Sequence, residues 1–320
     1  MADIVGLVLP FFGMILIGAV AARLARLPLE ALGWLNVFVI YIALPALFFQ
    51  LLSRTPVEQL TEWRYVAGSL LATFIIFCLM FAGSLIVSRG TIAESTIKGL
   101  AAAYGNIGYM GPGLVIFVFG AEAAVPMALI FSFENTMHFT LAPMLMALAG
   151  DNRGPVGMLV FGVAKRILLH PFILATLAGG LAAWAQITPP LPVSRLLDYL
   201  AMAAAPCALF ALGVTLALRP LRRVPHEVGV ISGLKLIVHP LLCWVILSLF
   251  GNFSDVWVYT AVVLAALPTA ANVFVLAQQY GVWVERASAS IVITTLLSVV
   301  SLTGVIYLTV NGVVPADLFP

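Results

Sequence analysis

Charge is scarce in this sequence. Only 9% of its 320 residues are Asp, Glu, Lys or Arg, and the formal net charge is +2. No basic run is long enough to hold a polyanion, which argues against a nucleic-acid partner. Cysteine is rarer still: Cys78, Cys207 and Cys243 each sit inside an apolar run and lack metal-ligand spacing, so they read as packing residues. No metal or organic cofactor is expected. Several motifs are also missing. There is no Gly-x-x-x-x-Gly-Lys-Ser/Thr loop, so the chain does not itself hydrolyse ATP. There is no His-Glu-x-x-His, no Gly-x-Ser-x-Gly and no aspartate pair at membrane depth, which argues against an intramembrane enzyme.

What the sequence does have is apolar residues, 63% of the total, with a mean hydropathy of +1.14. A soluble domain of this length cannot hide so much apolar surface, and an integral membrane protein need not. Ten apolar segments are predicted: Ile4–Ala22, Leu32–Leu52, Tyr65–Val87, Ser95–Phe119, Ala123–Leu148, Val156–Trp184, Leu196–Leu218, Val228–Phe250, Val256–Tyr280 and Ala287–Val310. The first carries Asp3 where a signal peptide would be basic, so it is expected to be a retained span. The sixth exceeds the length of one span. Its start, with Lys165 and Arg166, is expected to lie along the interface before His170-Pro171 enters the membrane. No stretch between segments is long enough to fold as a soluble domain.

Orientation follows from the basic residues. Arg23, Arg26, Arg89, Lys98, Arg153, Lys165, Arg166, Arg219, Arg222, Arg223 and Arg286 fall after odd-numbered segments or just inside the next. Only Arg54, Arg64 and Arg195 follow even-numbered ones. Eleven against three makes the odd-numbered loops cytoplasmic and puts both termini on the non-cytoplasmic side. Trp34, Trp63, Trp184 and Trp257 suit the interfacial aromatic belt.

An offset of 161 recurs along the chain: Pro10-Phe11 with Pro171-Phe172, Gly18 with Gly179, and Pro45 with Pro206. Residues 1–154 and 155–320 thus read as two five-span repeats. An odd number of spans per repeat makes them inverted with respect to each other. Pro45 and Pro206 are expected to be simple kinks.

Two segments are built to break. Tyr104 to Gly113 holds four glycines, Asn106 and Pro112; Leu264 to Val273 holds Pro268, Thr269 and Asn272. Pro112 and Pro268 are read as the helix-breaking residues of the fourth and ninth spans. Discontinuous spans mark transporter binding sites, because unwound backbone in the hydrocarbon must line a cavity or be covered by protein. The free N–H groups beginning each second half, around Gly111–Leu114 and Thr269–Asn272, suit a carboxylate. The expected substrate-binding set is Asn106, Gly108, Tyr109, Gly111, Thr269, Ala270 and Asn272. Two readings of Asn106 and Asn272 stand: contact with substrate, which the breaks favour, or capping of the broken helix ends.

Intramembrane ionisable groups are expensive and point to function. Glu134 and His138 are four apart, close enough to pair on one helix face and to exchange a proton. Lys235 stands open to three readings: neutralising an anionic substrate, pairing with Glu134, or snorkelling to the surface. Glu134, His138 and Lys235 are therefore the proton-coupling or charge candidates. His170 and His239, each before a proline, are expected to be interfacial or structural.

These residues resemble those of the auxin efflux carrier family and its bacterial malonate and dicarboxylate transporter members. The resemblance covers essentially the whole chain. It rests on the run from Leu35 to Phe48, on Asn106 to Pro112, on Lys235 to Pro240 and on Pro268 to Gly281. It implies an all-α fold of ten spans whose fourth and ninth cross at broken centres. It also implies a scaffold of spans 1, 2, 6 and 7, a moving part of spans 3–5 and 8–10, a homodimer, and elevator-like motion. The long cytoplasmic loop of the plant carriers is absent, which favours a bacterial inner-membrane carrier of a metabolite over one of auxin.

The function expected is secondary transport of a small mono- or dicarboxylate, with H+ as coupling ion. A Na+-coupled symporter of bile-acid type is the alternative, though the spans hold few oxygen ligands for sodium. A membrane sensor that binds without transport is the alternative of another class.

Overall fold

The computed structural model describes residues 2–54, 61–150, 161, 162, 165, 169, 171–218 and 226–318. The readings of Arg153, Arg166, His170, Arg219, Arg222 and Arg223, and of most of the first half of the sixth segment, lie outside the described residues.

Among the described residues the protein is all-helical. The helices are α1 (Ala2–Ala25), α2 (Leu29–Ser53), α3 (Trp63–Ile86), α4 (Ile92–Ala103), α5 (Ile107–Phe119), α6 (Ala124–Leu148), α7 (Pro171–Trp184), α8 (Leu191–Leu218), α9 (His226–Phe250), α10 (Asp255–Ala265), α11 (Ala271–Tyr280) and α12 (Val284–Val310). Five of them, α2, α3, α8, α9 and α12, are long and apolar enough to cross a membrane. Their outward residues are apolar too, such as Ile86 on α3 and Val300 on α12, each 78% exposed. A helix that is apolar all round and still exposes that surface belongs in lipid.

The fourth and ninth apolar segments, read from sequence as continuous runs with broken middles, are each two helices: α4 with α5, and α10 with α11. Helix α4 starts on a threonine N-cap. Thr91 Oγ1 accepts from the Glu94 N–H at 3.2 Å, satisfying a donor that the first turn leaves unpaired. Two helices widen locally into π-helix, α2 over Val39–Ala43 and α9 over Leu234–Val238. Each widening ends two residues before a proline, Pro45 or Pro240. A proline ring collides with the carbonyl four residues back, here those of Tyr41 and Leu236, each at the centre of its π segment. Widening the turn relieves that collision without ending the helix. Pro45 is therefore more than a simple kink, whereas α8 stays α-helical through Pro206.

The chain divides into two compact units. The first comprises Met1–Trp63, Tyr109–Leu129 and Leu168–Pro220; the second comprises Arg64–Gly108, Ile130–Ile167 and Leu221–Pro320. Helices α5 and α6 each begin in one unit and end in the other. The units are buried by different chemistry. Every buried polar or charged residue among those described belongs to the second unit.

The first unit is held by close backbone contact instead. Gly18 of α1 lies so near the Phe210 carbonyl of α8 that an added Cβ would collide with it, and Gly213 stands in the same relation to Ile15. On the other pair, a Cβ on Gly179 of α7 would come within 2.9 Å of the Phe49 carbonyl of α2. A shift of 161 turns Gly18 into Gly179 and Phe49 into Phe210, so the two contacts are the same contact with the halves exchanged. Gly18→Ala and Gly213→Ala are each expected to force helices apart at a cost of about 1–3 kcal/mol. Thermal unfolding in detergent measures this. Gly13→Ala is the control: its methyl meets nothing within 4 Å, so its melting temperature should hold or rise slightly.

Candidate functional site

Breaking a helix inside a membrane strands backbone donors and acceptors, and here the two breaks satisfy one another. Between α4 and α5 the chain is extended at Tyr104, and Gly105 forms an isolated antiparallel bridge with Thr269, in the break between α10 and α11. The Asn106 N–H donates to the Pro268 carbonyl at 2.7 Å, and the Ala270 N–H donates to the Tyr104 carbonyl at 2.9 Å. Side chains close what remains. The Thr269 hydroxyl donates to the Ala101 carbonyl at 2.7 Å, near the end of α4. Lys235 Nζ donates to the Ala265 carbonyl at 2.7 Å, at the end of α10. A cation there also suits the negative end of the helix dipole.

This geometry corrects the expected position of the first break. Pro112 lies inside α5, and the chain opens at Tyr104–Asn106 instead. Pairing with Thr269 fixes the opening, whereas Pro112 forfeits only one intrahelical bond, to the Gly108 carbonyl. Gly111–Leu114 thus lie past the first turn of α5, where helical N–H groups meet the carbonyls four residues earlier. Pro268 does sit in its break. The bridged residues are separated by 164 positions, three more than the sequence offset.

The other expected site residues divide. Asn106 is buried, and its Nδ2 has no hydrogen-bond partner. Asn272 Nδ2 donates to the Tyr104 hydroxyl at 2.8 Å, and that hydroxyl donates to Asn135 Oδ1. Thr269 is fully buried, with its hydroxyl donated to backbone. Ala270 serves through its N–H. Gly108 faces the Phe131 ring, which a Cβ would approach to 3.1 Å. Tyr109 and Gly111 belong to the first unit, where the Tyr109 hydroxyl lies 3.5 Å from Asn36 Oδ1.

The charge candidates are arranged differently from their spacing. Glu134 and His138 do not pair: neither His138 ring nitrogen has a partner, and the ring stacks on Tyr104 with centroids 4.2 Å apart. Glu134 Oε1 instead accepts from the Thr73 hydroxyl at 2.8 Å. Thr73 Oγ1 lies 3.0 Å from His239 Nε2, and His239 Nδ1 lies 2.9 Å from Lys235 Nζ. All four side chains are buried, so Lys235 does not snorkel. His239, expected to be interfacial or structural, is the middle of this chain. Its four-residue spacing from Lys235 was the available signal. Thr73, Tyr104 and Asn135 carried no comparable one, since Thr is common in spans and Tyr104 reads as the edge of a glycine motif.

A second charged cluster joins the starts of α4, α9 and α12. Lys98 Nζ is 2.8 Å from Glu94 and 3.4 Å from Glu227, and Arg286 is 2.9 Å from Glu227 and 3.7 Å from Glu94. Lys98 and Arg286, read from sequence as topology signals, therefore also tie three helices together. Among the described residues no group of His, Cys, Asp and Glu could hold a metal ion.

An apolar helical protein with paired breaks and buried ionisable groups is a membrane transport protein in class, not an enzyme. The model of a family described as "Membrane transport protein" matches residues 3–155 and again 155–306. The chain belongs to that family, the auxin efflux carriers, and its two consecutive matches fit an internal repeat. It is 59% identical over 320 residues, all of both chains, to a Rhizobium meliloti protein named "Putative malonate transporter". It is 30% identical over 312 residues to an "Uncharacterized transporter" of Methanothermobacter thermautotrophicus, covering 92% of this chain and 95% of that one. To the "Uncharacterized transporter YfdV" of Escherichia coli it is 22% identical over 304 residues, covering 93% and 95%.

The Thr269 hydroxyl reads as a structural clasp between the breaks. Thr269→Val should lower stability by about 1–3 kcal/mol, since it leaves the Ala101 carbonyl without this donor. Thr269→Ser should restore most of the loss, with thermal unfolding in detergent as the measure.

Proposed function

We propose that the protein is a secondary carrier of a small dicarboxylate of the malonate kind, in a bacterial inner membrane, with its substrate site at the paired breaks. One observation carries this reading: two broken spans meet through their backbones, and the buried Asn106 amide beside them keeps an unused donor. A carboxylate supplies the acceptor such a donor lacks. Asn272 and Asn135 add further amides, held in place by Tyr104. The printed name of the Rhizobium relative supports malonate as the first anion to try.

In this reading the ten spans are α1, α2, α3, the α4–α5 pair, α6, α7, α8, α9, the α10–α11 pair and α12. They form two inverted repeats, with both termini on the non-cytoplasmic side. The exchange of the Gly18 and Gly179 contacts supports the repeat. The first unit gathers α1, α2, α7 and α8, the expected scaffold, and the second gathers most of the expected moving part. That grouping supports alternating access of elevator type. The homodimer rests on family resemblance alone. Proton linkage is the energy source this reading adopts, because Glu134, His239 and Lys235 are buried close to the crossing.

Reconstituted protein should accumulate labelled malonate down an imposed pH gradient. Asn106→Ala should cut uptake at least about tenfold, the worth of one charge-assisted hydrogen bond. Accumulation driven only by a sodium gradient would replace proton linkage with sodium symport. Binding of malonate with no flux under either gradient would point to a sensor.

A further inference from the structure

The chain from Lys235 to Glu134 is directional. An ammonium has donors only, so Lys235 Nζ donates to His239 Nδ1 as well as to the Ala265 carbonyl. With Nδ1 accepting, a neutral His239 carries its proton on Nε2 and donates it to Thr73 Oγ1 at 3.0 Å. Thr73 then has one proton to give, and Glu134 Oε1 at 2.8 Å is the nearer of its two acceptors, the Ser69 carbonyl standing at 3.1 Å. With that proton on Glu134, the line runs donor to acceptor from the cation to the carboxylate. The far end is incomplete: Glu134 Oε2 is buried and has no partner. The near end touches the crossing, since a Cβ on Gly105 would stand 3.2 Å from Lys235 Nζ. The other titratable groups that feel these charges are His138 on α6, Tyr65 on α3, Tyr104 in the first break and Cys243 on α9.

We propose that Glu134, Thr73, His239 and Lys235 form one proton-holding unit that takes up a single proton on Glu134 Oε2 when a carboxylate binds at the crossing. The inference rests on the anion-carrier reading and adds where the coupling proton resides. Without substrate the unit holds an ammonium and a carboxylate and is neutral overall. A dianion brought into this water-poor region then meets no net counter-charge. Uptake of one proton from water forms an O–H bond on Glu134 and leaves the unit at +1, with the Lys235 ammonium uncompensated and beside the substrate. Release of the anion reverses the step and returns the proton to water. Thr73 and His239 are positioning residues: they hold the carboxylate and the ammonium in one hydrogen-bonded line, so that either charge is felt at the other end.

The test uses the full-length protein in detergent, in weakly buffered solution between pH 6 and 8, with malonate as probe and an indicator dye. Malonate binding should withdraw about one proton per site from solution. Glu134→Gln should bind malonate with no proton uptake. In proteoliposomes the same variant should continue malonate–malonate exchange, which needs no net proton movement, while pH-driven accumulation falls at least about tenfold. Thr73→Val, close in shape but unable to bridge, should lose pH-driven accumulation to a similar degree, and Thr73→Ser should regain it. Wild-type binding without proton uptake overturns the proposal and leaves the anion carrier standing. Undiminished proton uptake in Glu134→Gln, or wild-type coupling in Thr73→Val, overturns it too. Absence of both malonate binding and malonate flux in the wild type overturns the carrier reading for this anion, and this inference with it.

Discussion

An unwound peptide inside a membrane must find partners for its N–H and C=O groups within the protein, because lipid offers none. The chain meets this demand by making its two openings answer each other, with Gly105 opposite Thr269 and one bond on either side. Much else follows from that pairing. It sets where α5 and α11 begin, and so which residues can face the crossing. It brings Thr269 to Ala101, and Lys235 completes the other side at Ala265, so both incoming half-helices end on a donor. With the backbone engaged on Asn106 and Ala270, the side-chain amides of Asn106, Asn272 and Asn135 are the polar groups that gather beside the breaks.

The same economy of polar groups explains the cation. A buried ammonium is costly unless its donors are used and its charge is answered. Lys235 uses two donors, on Ala265 and His239, and its charge is answered through Thr73 by Glu134. Lys235 lies in the π segment Leu234–Val238, and His239 follows it directly, with Pro240 next in the chain.

Much of this architecture was legible in the sequence. Apolar runs gave the helices, and glycine, proline and asparagine clusters marked both breaks. The register of the first break was not legible, since Pro112 is the strongest local signal there while the opening is fixed by Thr269, far away in sequence. The Glu134–His138 spacing is correct for one helix face, but each side chain found a better neighbour on another element: Thr73 for Glu134 and the Tyr104 ring for His138. Periodicity reports which residues share a face; it does not report what that face meets. For the same reason the spacing did not show that His239 lies beside Thr73.

The two units differ in how each is buried. In the first, the described core consists of apolar residues, and α1, α2, α7 and α8 approach so closely that glycine is required at Gly18, Gly179 and Gly213. Contacts of that kind have no charge state and offer nothing for a proton or an anion to alter. In the second unit the buried groups include Lys98, Glu134, His138, Lys235 and His239, and His138 and Glu134 keep nitrogen or oxygen atoms unpaired. Among the described residues, only the second unit therefore holds buried groups whose charge a proton could change. A ligand moves a conformational equilibrium only through groups that distinguish its states. By that criterion the second unit carries the groups on which a charged ligand could act, among the described residues.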